Sequence, residues 1–226
     1  MHRNANADES ILRISLDAKA TILIGPFSRG GESRLKICAV DHDFEPEEKL
    51  TPFGLYLPAE NELYLFFTSS KITSDFIVDC LSAFWRDNKW RFPHIQTLLI
   101  NQDNGPENHS RRTQFMKRIT QFADAFQIAI DLAYYPPYHS KYNPIERVWG
   151  ALELHWNGNL LDSIDTVLNF AQSMTWKGRH PVVQWITQTY QTGVRLTPKA
   201  MAHLEKRLVR LPHLPKWCVH IPPLPL

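Results

Sequence analysis

Three short acidic contexts carry the chemistry in this chain: Asp17 in RISLDAK, Asp103 in TLLINQDNGPEN and Glu146 in YNPIERVW. Asp17 and Asp103 each close an apolar run that reads as a strand, where Asp is a poor strand former. Taken singly, either reads first as a turn or helix-cap residue. Together, on strands that can lie side by side, they put two carboxylates at the sheet end where open α/β folds hold their chemistry. Glu146, at the start of the next helix, can project over the same edge. Converging carboxylates repel unless a cation neutralises them or one takes up a proton. Oxygen-only donors select a hard ion, Mg²⁺ or Mn²⁺. Two such ions about 3.5–4 Å apart can activate a nucleophile and stabilise the leaving oxygen of a phosphodiester.

Asn143-Pro144-Ile145-Glu146 also has a purely structural reading. Asn is a preferred N-cap, Pro suits the first helical position, and Glu three residues after the cap closes a capping box. The helix dipole would then keep Glu146 ionised and ready for metal. Asn104 and Asn108 fit residues that orient metal ligands, and fit turn formation nearly as well; Asn143 is a further candidate to orient a ligand or touch DNA. Lys141, Arg111 and Arg112 suit contacts to DNA phosphate, or a solvated loop and helix face. His139 and His155 are weaker ligand candidates, since His155 falls roughly 180° around an ideal helix from Glu146. Asp75, Asp79, Asp131 and Glu153 read as surface or cap carboxylates.

The elements that must position these groups follow from periodicity. Leu12, Ile14 and Leu16 alternate as on a strand; Thr21 to Ile24 extends it or pairs with it, and Leu35 to Val40 offers a further short strand. FGLYLP and ELYLFF stand at hairpin spacing. Phe76, Ile77, Cys80, Leu81, Phe84 and Trp85 form one helical stripe after a Thr73 or Ser74 cap. TLLI reads as a buried strand, followed by a helix over 110–125, a strand over 127–132 and the helix opened by NPIE. Hairpins first and βα units after predict an α/β domain with a mixed five-stranded sheet flanked by helices, over residues 1–156. Residues 157–226 read as a helical, Pro-rich C-terminal extension. Its expected helices are LLDSIDTVLNFAQSM, PVVQWITQTYQ and a run from Thr197 to about Arg210, before a tail that runs extended over a surface. Between Arg195 and Lys216, six cations (Arg195, Lys199, Lys206, Arg207, Arg210 and Lys216) stand against one acid, Glu205, a basic surface suited to DNA or to solvent.

Composition bounds the classes. The chain has 226 residues, 43% of them hydrophobic, which suits one large domain with a sizeable core. A net charge of +2 gives no global polycationic signal. Cys38, Cys80 and Cys218 are far apart without a CxxC pair, which predicts a reducing cytoplasm and argues against a zinc site or disulfide framework. No apolar run approaches the length of a membrane span, and the polar start MHRNANADES lacks a signal-peptide core.

With LDAK, LLINQDNGPENHSRRTQF and YYPPYHSKYNPIERVWG in view, the chain resembles the DDE-type insertion-sequence transposases. Within them it is similar to the branch with the Rhodopirellula-type transposase DDE domain, to which the D-N-G-x-E-N loop, PPxxSKxNxIE, HWNG and TGVRLT segments point. The resemblance runs from about residue 11 to the end. It implies an RNase H-like catalytic domain with Asp17, Asp103 and Glu146 as the metal-binding triad. It implies Mg²⁺-dependent cleavage of double-stranded DNA at element ends and transfer of the freed 3′-hydroxyl to target DNA. It further implies a homo-oligomer on DNA at a bacterial nucleoid. Such transposases carry an amino-terminal DNA-binding region, and this chain begins almost at the first catalytic strand. A domain fragment, a truncated copy or one part of a split protein is expected. An inactive remnant that only binds DNA, and an RNase H-like nuclease that cuts without joining, are the alternatives.

Overall fold

The computed structural model describes residues 8–27, 48–136 and 142–225. The expected strand at Leu35 to Val40, and Lys141, His139 and Cys38, lie outside them. The sheet is built from β1 (Ile11–Ala18), β2 (Ile22–Ile24), β3 (Glu48–Leu57), β4 (Glu62–Thr68), β5 (Thr97–Gln102), β6 (Ala129–Tyr134), β7 (Val182–Ile186), β8 (Val209–Arg210) and β9 (Cys218–Ile221). The helices are α1 (Ser74–Asn88), α2 (Thr113–Phe126), α3 (Glu146–Trp156), α4 (Ile164–Ser173) and α5 (Pro198–Glu205).

Strand order across the mixed sheet is β7-β4-β3-β1-β5-β6-β9-β8, with β2 paired to β3. The predicted five-stranded core, β4-β3-β1-β5-β6, is its centre. β3 and β4 form the expected hairpin, turning at Asn61 with positive φ. β1, β5 and β6 are mutually parallel. β3 runs against both β1 and β4, so β4 points the same way as β1.

Alternation on β1 splits the interior into two layers. Leu12, Ile14 and Leu16 face the cluster built on α1 and α2, with Phe76, Leu81, Phe84, Phe115 and Ile119. On the other face, α3 with its entrance residue packs on β2, β3 and β4 through Ile145, Val148, Trp149, Leu152 and Trp156, and α4 through Val167 and Ala171. Thr73 caps α1 as expected, accepting from the Phe76 N–H at 3.2 Å.

Three expectations about the C-terminal third are corrected. PVVQWITQTYQ is not helical: Val182–Ile186 is strand β7, parallel to β4 at the sheet edge. Val182, Trp185 and Ile186 fit helical spacing, yet β-branched and aromatic residues also suit a half-buried strand, and the open β4 edge decides. The Thr197 helix ends at Glu205, because Val209–Arg210 pairs with β9. The Pro-rich tail does more than cover a surface: Cys218–Ile221 joins the sheet against β6. Prolines flank β9 rather than interrupt it, so its ladder donors survive.

No described helix is long and apolar enough to cross a membrane.

Candidate active site

β1 and β5 are in parallel register with Ser15 opposite Asn101. Two residues further on, Asp17 and Asp103 leave these neighbouring strands at the same level. Asp17 lies within β1 on the face opposite Leu16, while Asp103 follows directly after β5. Glu146 is the first residue of α3, which packs over the Asp17 face. All three acids therefore stand at the carboxyl edge of the central strands.

The seating of α3 corrects the capping-box expectation. The Asn143 side chain does not cap the helix. Its wholly buried amide is directed into β1, accepting from Ser15 Oγ at 2.5 Å and donating to the Leu16 carbonyl at 2.9 Å. Ser15 Oγ in turn accepts the Ile145 N–H at 3.1 Å. A strand hydroxyl thus satisfies an N–H at the helix entrance that the Asn143 side chain would otherwise take. Buried in this way, Asn143 has no surface for DNA. Glu146 stands at the first helical position rather than the third, so its carboxylate is released from any box.

Further along, Trp149 Nε1 donates to Asp17 Oδ2 at 2.7 Å. Lys19 pairs with Glu153 at 2.5 Å. Ser15, Asp17 and Lys19 thus meet Ile145, Trp149 and Glu153 in turn. Two strand residues advance roughly 6.7 Å and four helical residues about 6.0 Å, so the repeats stay in step. Gly54, opposite Asp17 on β3, makes this close approach feasible. A Cβ there would lie 2.6 Å from Ile145 Cδ1 and 2.7 Å from Trp149 Cη2.

Asp103 is steadied from its own loop. Asn108 Nδ2 reaches Gln102 Oε1 at 3.0 Å and Asp103 Oδ1 at 3.3 Å, and the Asn108 carbonyl accepts from Tyr134 Oη at 2.8 Å. Gly105 permits the tight turn, since a Cβ would meet Asn108 Oδ1 at 2.8 Å. Asn104 is exposed at the rim. Arg111 is exposed, whereas Arg112 is engaged by Glu107 at 3.0 Å. His155 faces Ser173, at 2.9 Å, away from the acids.

Burial pushes the Asp17 carboxyl up to about 7; the Trp149 N–H opposes this, and the charges of Glu146 and Asp103 add to it. Among the described residues, no three Asp, Glu, His or Cys side chains are drawn tightly enough together to enclose an ion. The donor set nevertheless fits a hard divalent cation. It is all oxygen, and a cation would offset the burial and like-charge repulsion that disfavour ionised Asp17.

Sequence reasoning missed Trp149, Ser15, Gly54 and Gln102. Trp149 had a signal, standing one helical turn beyond Glu146. Ser15 had a weaker one, a lone hydroxyl in an apolar strand. Gly54 is meaningful only through Ile145 and Trp149, distant in sequence, and Gln102 only through the loop that folds Asn108 back onto it.

The fold is shared with solved transposases. The Mos1 mariner paired-end complex with Mn has a TM-score of 0.50 at 11% identity, covering 70% of this chain and 46% of that one. The Mos1 transposase paired-end complex with left transposon end also gives 0.50, at 10% identity, covering 75% and 48%. The chain spans about half the length of these transposase chains. No curated protein matches it. The Rhodopirellula transposase DDE domain matches residues 2–223. With nearly the whole chain inside that match and an RNase H-like sheet beneath it, the protein belongs to this DDE transposase family.

Proposed function

We propose that this chain is a DNA transposase catalytic unit that uses Asp17, Asp103 and Glu146 to cut and join phosphodiesters. The observation that carries the reading is the level placement of Asp17 and Asp103 on adjacent parallel strands, with the Glu146 helix bonded to the same strand. The residues would hold Mg²⁺ or Mn²⁺, two ions in the full site, which supply Lewis acidity for water or a 3′-hydroxyl attacking phosphorus. Trp149 holds Asp17 Oδ2 and leaves Oδ1 for coordination. Asn108 does the same for Asp103 Oδ1, leaving its second oxygen. Glu146, with both oxygens outside any cap, closes the set from the helix side. We read residues 1–156 as the catalytic unit and 157–226 as an extension. The substrates in this reading are double-stranded element ends and target DNA, engaged by a homo-oligomer.

Mg²⁺-dependent cleavage and strand transfer on element-end DNA tests the proposal, with Asp103→Ala as control. Equal product from variant and parent would sink it. Cleaved ends without covalently joined target would instead support a hydrolytic nuclease.

A further inference from the structure

The strand β7 changes where the C-terminal segment leads. β7 is parallel to β4, and β4 points the same way as β1. The chain therefore leaves Ile186 at the sheet edge that carries Asp17 and Asp103. Residues 187–199, TQTYQTGVRLTPK, then cross that edge toward α5.

The strap is pinned at both ends. The Tyr190 N–H donates to Ser70 Oγ at 2.9 Å, just past β4, and its ring meets Phe76 of α1 edge-on at 5.5 Å. The Leu196 N–H donates to Thr113 Oγ1 at 3.0 Å, at the first residue of α2. Between these pins the surface is exposed Gln191, Thr192, Gly193 and Arg195, with Lys199 beyond.

Its charge is one-sided. No acid occurs from residue 187 to 204. The acids on the elements beneath have cationic partners: Asp75 and Asp79 share Arg118, and Glu107 pairs with Arg112, leaving one negative charge against the four cations that follow. Lys71, Arg111, Arg195 and Lys199 remain exposed around the strap. Arg207 and Arg210, further along the extension, are spent on Asp124 and Glu205. The amino ends of α2 and α5 meet here, and neither has an acid in its first turn. Lys199 in the first turn of α5 opposes the helix dipole. A cation in that position is locally unfavourable, and an anion bound there reverses the sign.

We propose that the 187–199 strap, with Lys71 and Arg111, is a landing surface for the sugar-phosphate backbone of duplex DNA. It would lead the strand to the carboxylate edge. Hydroxyl and amide side chains, cations and helix amino ends are the groups that contact phosphate without reading sequence. The proposal rests on the transposase reading and deepens it by naming the surface that guides the substrate.

Binding of a fluorescein-labelled duplex is measured in EDTA between 50 and 200 mM NaCl, which separates the surface from the chemistry. Each lost phosphate contact lowers the magnitude of the log Kd against log salt slope by about 0.9. Arg195→Ala/Lys199→Ala should lower it by about two and weaken low-salt binding several-fold. Lys206→Ala/Lys216→Ala, removing exposed cations away from the strap, should leave the slope near the parent value. An unchanged slope in the strap variant, an equal loss in the second variant, or no binding by the parent would each overturn the proposal. Cleavage of the same duplex is assayed separately in Mg²⁺: if the strap variant shifts the slope in EDTA as expected and the parent cuts nothing in Mg²⁺, the strap stands while the catalytic reading falls.

Discussion

Trp149 and Asp17 are bonded across the junction of α3 and β1, indole N–H to carboxylate oxygen at 2.7 Å. This bond joins the helix that carries Glu146 to the strand that carries Asp17. A movement of either element is therefore felt by both acids, and the site is one mechanical unit with the sheet.

Trp149→Phe removes the donor and shrinks the bicyclic indole to a single ring, so a packing loss adds to the lost hydrogen bond. A lost hydrogen bond to a charged group costs about 1.5–3 kcal/mol, so a melting temperature lower by several degrees is expected. Mn²⁺ affinity, followed by electron paramagnetic resonance, should fall about tenfold, as for other residues that orient ligands. An unaltered Mn²⁺ affinity would remove Trp149 from the metal-binding role.

Asp17→Asn should stabilise the metal-free protein at and above neutral pH. The folded carboxyl titrates near 7 against an ordinary value of 3.8, chiefly because of burial. Between those values the folded state keeps a proton that the unfolded chain has released. The stability that this proton contributes is full below about pH 4 and is lost as pH rises through 7. Thermal melts in EDTA at pH 5 and pH 8 should therefore differ more in the parent than in Asp17→Asn. Added Mg²⁺ should recover the loss in the parent alone.

Gly54→Val should lift α3 off β3. The added Cβ would fall inside contact distance of both Ile145 and Trp149. Overpacking of this kind costs about 1–3 kcal/mol, readable as a lower urea midpoint. The Trp149 indole N–H resonance should move as its bond to Asp17 lengthens.

Asn143→Leu should destabilise more than a surface change. Ser15 Oγ loses its acceptor and the Leu16 carbonyl its donor, both in a buried setting. Each unsatisfied buried group costs about 1–3 kcal/mol. Urea unfolding with an unchanged m-value would show that the native state is weakened rather than rearranged. A midpoint equal to the parent's would show that the anchor is dispensable.

The core sheet is legible in the residues because its strands and helices carry their own periods. Leu12, Ile14 and Leu16 alternate, and the α1 stripe repeats at helical spacing, whatever they later pack against. The acidic contexts are legible for the same reason, since Asp17 and Asp103 interrupt apolar strands locally. Val182–Ile186 and Cys218–Ile221 are not. Their periods fit more than one structure, and only the free edges of β4 and β6 select strand.

NPIE shows where the division lies. Its four residues are enough to dictate that a helix starts there and that an acid stands in the first turn. The role of Asn143 comes from the fold instead, because Ser15 supplies the acceptor for the helix N–H and draws the Asn143 amide into β1. A local motif offers a set of hydrogen-bond groups. Which partner each one takes depends on what folding brings within reach, and here that is set by residues more than a hundred positions away.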